Sequence, residues 1–203
     1  MSLILEILSQ EYPNITIQLN HSNAFELLIA TILSAQCTDA RVNIVTETLF
    51  KKYLIPEDYI NAPIEQIEQD IFSTGFYRAK AKNIKAASHK LVNDFNGEVP
   101  SNIDDLTSLP GVGRKTANVV LGHIFNIPGV VVDTHVKRIS KMLGFVETSD
   151  AVKIEYKLME LIPKELWVIF THYFINLGRK VCIARRPQCH DCKISHLCPS
   201  SKI

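Results

Sequence analysis

The sequence predicts an all-α protein, and three features carry that prediction. Apolar residues recur at helical spacing along almost the whole chain. Strand-like runs are confined to ITIQL at 15–19 and VVV at 130–132, which are too short and too isolated to build a sheet. Turn-forming residues interrupt the pattern at short intervals.

Residues 1–10 (MSLILEILSQ) contain Glu6 and no basic leader, so they read as a short amphipathic helix and not as a signal peptide. Phe25, Leu28, Ile29, Ile32 and Leu33 follow the i, i+3, i+4, i+7, i+8 rule and predict the next helix. Further helices are expected over 40–52, 64–72, 78–95, 103–108, 114–126 and 134–143. Ile154, Leu158, Leu161 and Ile162 repeat the pattern, and a last helix is expected over 165–177. Pro56, Pro63, Gly75, Gly97, Pro100, Pro110, Pro128, Gly129, Gly144 and Pro163 are read as breaks between helices. No repeat of 20 to 50 residues and no low-complexity linker occurs, so a second domain would be joined without a flexible tether.

A chain of 203 residues is long enough to bury roughly 70% of its unfolded surface. With 46% hydrophobic and 21% charged residues, neither disorder nor a fibrous repeat is indicated. The apolar runs fall far short of the roughly 20 residues a membrane span needs, so no membrane is expected and the cytoplasm is the expected location. The net charge of +1 is divided unevenly: residues 1–100 hold 8 Lys and Arg against 12 Asp and Glu, residues 101–203 hold 14 against 9. This asymmetry permits a basic face on a nearly neutral molecule.

Four of the five cysteines, Cys182, Cys189, Cys192 and Cys198, form C-x6-C-x2-C-x5-C. The loops between them hold almost no core-forming residues, and no secretion signal precedes them, which suggests a metal and not a disulfide framework. Four thiolates suit zinc or an iron-sulfur cluster. Only one pair has the close C-x2-C spacing, which favours ligands spread around a [4Fe-4S] cubane over a zinc ribbon. His190 and His196 are expected at the surface, and Cys37 is expected as a buried thiol on an apolar helix.

The most informative stretch is LPGVGRKTANVVLGH, residues 109–123. Pro110 ends the preceding helix and biases Leu109 away from the helical region. Gly111 and Gly113, with Val112 between them, allow a turn with a bare outer surface, and a new helix begins at Arg114. Its unpaired amides and those of the turn would together bind an anion, most simply a phosphate. The pattern is that of a helix-hairpin-helix, which holds a DNA strand by its phosphates without reading bases.

Lys115 falls in the first helical turn, where the macrodipole and Arg114 both disfavour an added positive charge. A neutral amine there would be a nucleophile for Schiff-base chemistry, the other role open to it being a phosphate contact. Helix 114–126 rises about 18 Å, and an extended return through Val132 covers about 20 Å, so Asp133 is expected to come back to the level of Lys115. Asp133 is also expected to cap the helix that follows it.

These motifs, with LLIATILSAQCTD at 27–39, GFYRAKAKNI at 75–84 and VDTHVKRI at 132–139, resemble the endonuclease III family of helix-hairpin-helix DNA glycosylases. The resemblance spans nearly the whole chain. It implies a six-helix domain over 17–127, an iron-sulfur cluster domain from 1–16 and 128–203, and a DNA-binding cleft between them. It implies a base excision repair glycosylase with abasic-site lyase activity, removing oxidised pyrimidines from duplex DNA. Lys115 would be the amine nucleophile, Asp133 its carboxylate partner, and Cys182, Cys189, Cys192 and Cys198 the ligands of a [4Fe-4S] cluster. Gln36 would enter the gap left by an extruded nucleotide and Phe76 would be the apolar wedge, a core aromatic being the other role open to Phe76. His135 would lie near the active site, and Arg185 and Arg186 would hold phosphates from the cluster loop. Cys37 departs from the small residue expected after the glutamine. A monomer is expected. Three rivals remain: a related adenine glycosylase, against which Lys115 argues, a non-catalytic DNA-binding module with a structural metal, and an iron-sulfur electron carrier, in which the hairpin would have no purpose.

Overall fold

The computed structural model describes all 203 residues. The chain is built from α-helices and short 3-10 turns, with no strand. It divides into two compact units, Met1–Ile17 with Pro128–Ile203, and Gln18–Ile127.

The second unit is organised around α2 (Ala24–Leu33). Every residue from Leu27 to Leu33 is buried, so the helix is covered around its whole circumference and not only along the stripe that the periodicity predicts. It packs against α3 (Asp39–Lys52), α6 (Tyr77–Phe95) and α8 (Arg114–Ile124). Fully burying each of its leucines and isoleucines contributes about 1.5–3 kcal/mol. The Asn23 side chain starts α2 by accepting the Glu26 N–H at 2.9 Å.

Between α3 and α6 lie α4 (Pro56–Asn61), α5 (Ile64–Asp70) and a 3-10 turn, Phe72–Thr74. The sequence reading treats Pro56 as a break, whereas Pro56 opens α4. A proline at the first helical position loses only an N–H the helix would not use. The Asp58 carboxylate secures that start by accepting the Leu54 and Ile55 N–H groups at 2.7 and 3.1 Å. After α7 (Ile103–Ser108) comes the hairpin into α8, which ends at Ile124 and not at 126. There Asn126 takes a left-handed conformation (φ 53°) and the Ile127 N–H donates back to the Leu121 carbonyl at 3.0 Å, which closes the helix.

In the first unit α1 (Ser2–Glu11) and α9 (Thr134–Met142) both pack on α11 (Trp167–Lys180), and α10 (Ala151–Leu161) adds Ile154 and Leu158 to the same core. The Lys180 ammonium lies 5.6 Å from the Tyr12 ring centre, tying the end of α11 to the end of α1. The extended run at 130–132 is held against α11 where the Val131 N–H donates to Thr171 Oγ1 at 3.1 Å. No helix is long and apolar enough to cross a membrane.

Candidate functional site

The hairpin begins where α7 stops at Ser108 and Leu109, buried, turns extended. The Val112 N–H donates to the Leu109 carbonyl at 3.1 Å, and Gly111 has φ 80°: a type II turn with Pro110 and Gly111 at its centre. Glycine is required at 111 twice over. The positive φ strains any other residue, and a Cβ would come 2.8 Å from Cβ of Asn83 on α6. Gly113 differs, since its backbone is extended (φ −94°, ψ 173°) and a Cβ there would meet nothing within 4 Å. The hairpin is therefore packed on one side and presents bare backbone on the other.

The amides do not all face outward, because that of Val112 is turned in to Leu109 and its side chain is buried. Val112 anchors the turn. The first hydrogen bond of α8 runs from the Ala117 N–H to the Gly113 carbonyl at 3.0 Å, so helix geometry gives residues 114–116 no intrahelical acceptor. No side chain caps this end. Arg114 is half-buried, whereas Lys115, second in the helix, is exposed. The opposite face of α8 buries Ala117, Val120 and Leu121.

Asp133 belongs to the other unit and caps α9, accepting the Val136 N–H at 2.8 Å through Oδ1, which fixes the carboxylate in place. His135, on the first turn of α9, lies over Gly178 of α11. A Cβ at Gly178 would collide with the imidazole ring, so the absence of a side chain there sets where His135 sits.

Gln36 and Phe76 share an uncommon backbone. Both are exposed and both are left-handed, with φ 55° and 50°. Phe76 keeps 65% of its surface open and is not a core aromatic. A bulky residue in this region costs about 1–3 kcal/mol, a strain that clusters at functional sites. Cys37 is half-buried in the turn after α2, not on the apolar helix, and its N–H donates to the Ser34 carbonyl at 3.1 Å.

Lys80 carries no role among the expectations from the sequence. It is 4% exposed, and its ammonium donates to the Leu33 and Thr74 carbonyls, each at 2.8 Å. Burial lowers its pKa below the ordinary lysine value, partly opposed by Cys37. The signal was present in the sequence, because Lys80 lies on the same helical stripe as the buried Ile84, Ala87, Ser88 and Leu91.

In the first unit Cys182, Cys189, Cys192 and Cys198 line one cavity of about 30 Å³ together with Met142, Val181 and Pro187. No three His, Cys, Asp or Glu side chains are grouped closely enough to hold a single metal ion. Four cysteines lining one cavity are a donor set that suits zinc or an iron-sulfur cluster. The Arg138 guanidinium donates to Cys182 Sγ at 3.3 Å and to the Cys182 carbonyl at 2.6 Å, tying α9 to the start of the cysteine loop. Burial raises the Cys192 and Cys198 thiols above the ordinary cysteine value, partly opposed by N–H groups at Ile194 and Ser200. Arg185 and Arg186 are exposed in the loop between the first two cysteines, which closes where the Gln188 N–H donates to the Val181 carbonyl at 2.9 Å. His190 and His196 are exposed.

Residues 29–164 match the model of the HhH-GPD superfamily of base excision DNA repair proteins. Endonuclease III of Synechocystis is 51% identical over 200 residues, which is 98% of this chain and 91% of that protein. A solved endonuclease III in a non-covalent complex with DNA is 50% identical with a TM-score of 0.95, over 99% of this chain and 94% of that one. A second, a trapped covalent intermediate with DNA, has the same identity and TM-score over 99% and 95%. With its hairpin, its cysteine centre and this full-length likeness, the chain belongs to the endonuclease III family of base excision DNA repair proteins.

Proposed function

We propose that Lys115 is the amine nucleophile and Asp133 its carboxylate partner in this member of the endonuclease III family, a bifunctional DNA glycosylase and abasic-site lyase. One observation carries the reading. A relative half identical to this chain forms a covalent intermediate with DNA, which requires a nucleophile on the protein, and Lys115 is an exposed amine beside a bare hairpin turn.

The hairpin holds one strand by its phosphates, and the damaged nucleotide is extruded while Gln36 and Phe76 fill the gap. The Lys115 amine attacks C1′, and the bond from C1′ to the base breaks with its electron pair leaving on the base. Asp133, held by its cap to Val136, accepts the proton that the amine sheds and stabilises positive charge on the sugar. Ring opening gives an imine, which acidifies the 2′ proton. Its loss expels the 3′ phosphate and nicks the strand, and hydrolysis of the imine frees Lys115. The substrates are duplexes carrying oxidised pyrimidines or abasic sites.

Cys182, Cys189, Cys192 and Cys198 would hold a [4Fe-4S] cluster, which supplies rigid cross-linking of the tail and no step of the reaction. Arg185 and Arg186 then face phosphates from the loop it organises. We infer a monomer working in the cytoplasm, where a reducing environment suits thiolate ligands.

Borohydride reduction on a duplex with one thymine glycol tests the assignment. Wild-type protein is expected to become covalently attached, and Lys115→Gln is expected to bind the duplex without attachment. A Lys115→Gln protein that trapped as efficiently as wild type would remove Lys115 from the role.

A further inference from the structure

Two strained, exposed residues lie in separate loops of one unit, and a single buried cation joins the bases of both loops. Gln36 comes three residues after Leu33, the end of α2. Phe76 comes two residues after Thr74, the end of the 3-10 turn. The Lys80 ammonium donates to the Leu33 carbonyl and to the Thr74 carbonyl, each at 2.8 Å. We propose that Lys80 is a positioning residue for nucleotide extrusion, its ammonium holding the Gln36 and Phe76 loops at a fixed spacing so that the two side chains enter the duplex as one unit. The proposal rests on the reading of Gln36 and Phe76 as the gap-filling pair.

The chemistry of the position supports it. A lysine on the apolar stripe of α6, 4% exposed, places a charge where a leucine or methionine would fill the same space without desolvating one. An ammonium offers what those residues lack: several donors on one atom, able to bind two main-chain carbonyls at once. The Leu33 carbonyl ends a helix and has no intrahelical partner, and the helix dipole favours a cation there. Other bonds settle each loop separately. Ser34 Oγ donates to the Thr31 carbonyl at 2.8 Å, and Thr74 Oγ1 donates to the Ile71 carbonyl at 2.8 Å. Lys80 bonds both loops, so its removal uncouples them without dismantling either. Left-handed residues keep their strained conformation only where the surroundings hold them, and Gln36 and Phe76 stand just beyond the two carbonyls that Lys80 binds.

The test compares a reaction that needs extrusion with one that does not. Lys80→Met keeps the stem and removes the donors. Single-turnover base release from a duplex with one thymine glycol is expected to fall about 10- to 100-fold. Borohydride trapping on a single-stranded oligonucleotide with one abasic site, where no stack must be opened, is expected to stay within about twofold of wild type. Lys80→Arg, which keeps the charge and donors, is expected to recover part of the duplex rate. Equal slowing on both substrates, or a duplex rate that stays at the wild-type level, overturns the proposal. Gln36→Ala and Phe76→Ala separate the two readings. If neither slows the duplex reaction, the gap-filling reading fails. If both slow it and Lys80→Met does not, that reading stands and the role of Lys80 falls. Should Lys80→Met fail to fold, Lys80→Gln, neutral and shorter than the original side chain, is scored by the same two rates.

Discussion

Gly111 and Gly113 are two residues apart in the same turn, yet alanine is expected to act in opposite directions at the two sites. At Gly111 (φ 80°) the left-handed conformation costs an L-residue about 1–2 kcal/mol. The added methyl also meets Cβ of Asn83 at 2.8 Å, an atom fixed to the α6 backbone that cannot rotate away, and such overpacking costs about 1–3 kcal/mol. Together these give about 2–5 kcal/mol, or a Tm lower by roughly 5–15 °C for a chain of this length. At Gly113 the backbone is extended and the methyl meets open space, so stability is expected to hold or to rise by about 0.4–1 kcal/mol. The methyl would stand where a phosphate must approach the amides. Losing one such charge-assisted hydrogen bond, worth about 1.5–3 kcal/mol, weakens DNA binding about 10- to 100-fold. Calorimetric melting and fluorescence anisotropy with a duplex carrying a reduced abasic site measure both quantities. A Gly113→Ala protein that melts as low as Gly111→Ala, or that binds DNA as wild type does, refutes the assignment of packing to one glycine and phosphate contact to the other.

Gly178→Ala is expected to push His135 out of its seat on α11 and to slow base release while leaving the helical circular dichroism intact; an unchanged rate would show that the seat is immaterial. Replacing Arg185 and Arg186 together with alanine is expected to weaken binding to damaged and undamaged duplex alike and to flatten the dependence of log K on log salt by about two phosphate contacts, so a loss of lesion preference at unchanged affinity would contradict a phosphate role. His123, whose pKa burial depresses below the ordinary histidine value of about 6.5, holds its proton more readily in the unfolded chain. Its contribution is therefore complete above pH 6.5 and is lost as pH falls through the lower folded value. His123→Gln is expected to flatten that part of the stability profile, and an unaltered acid limb in urea titrations would count against it.

The helices were legible wherever burial was one-sided and endings were marked, as in Ile103–Ser108, where Asn102 caps the start and Pro110 stops the end. They were illegible where one residue type serves two purposes. Pro56 reads as a break and in fact begins a helix, because a proline's missing donor matters only after the first turn. The candidate site residues, Lys115, Asp133 and the four tail cysteines, come from spacing and motif, which say nothing of what holds them in place. Asn83, Gly178, Arg138 and Lys80 act through packing and hydrogen bonds across distances of up to 47 residues in sequence, which local patterns do not encode. Of these only Lys80 left a trace, a charge written into an apolar stripe.

The unit that holds α1 is made from the two ends of the chain, with everything from Gln18 to Ile127 inserted between them. On a ribosome the inserted piece is complete first. Ile4, Leu5 and Leu8, which α1 buries in its core, must then wait for α11 to be synthesised about 155 residues later, roughly 8–30 s at ordinary elongation rates. For that interval the apolar stripe of α1 lacks the helix that will cover it, so the unit completed last also holds the residues that have waited longest.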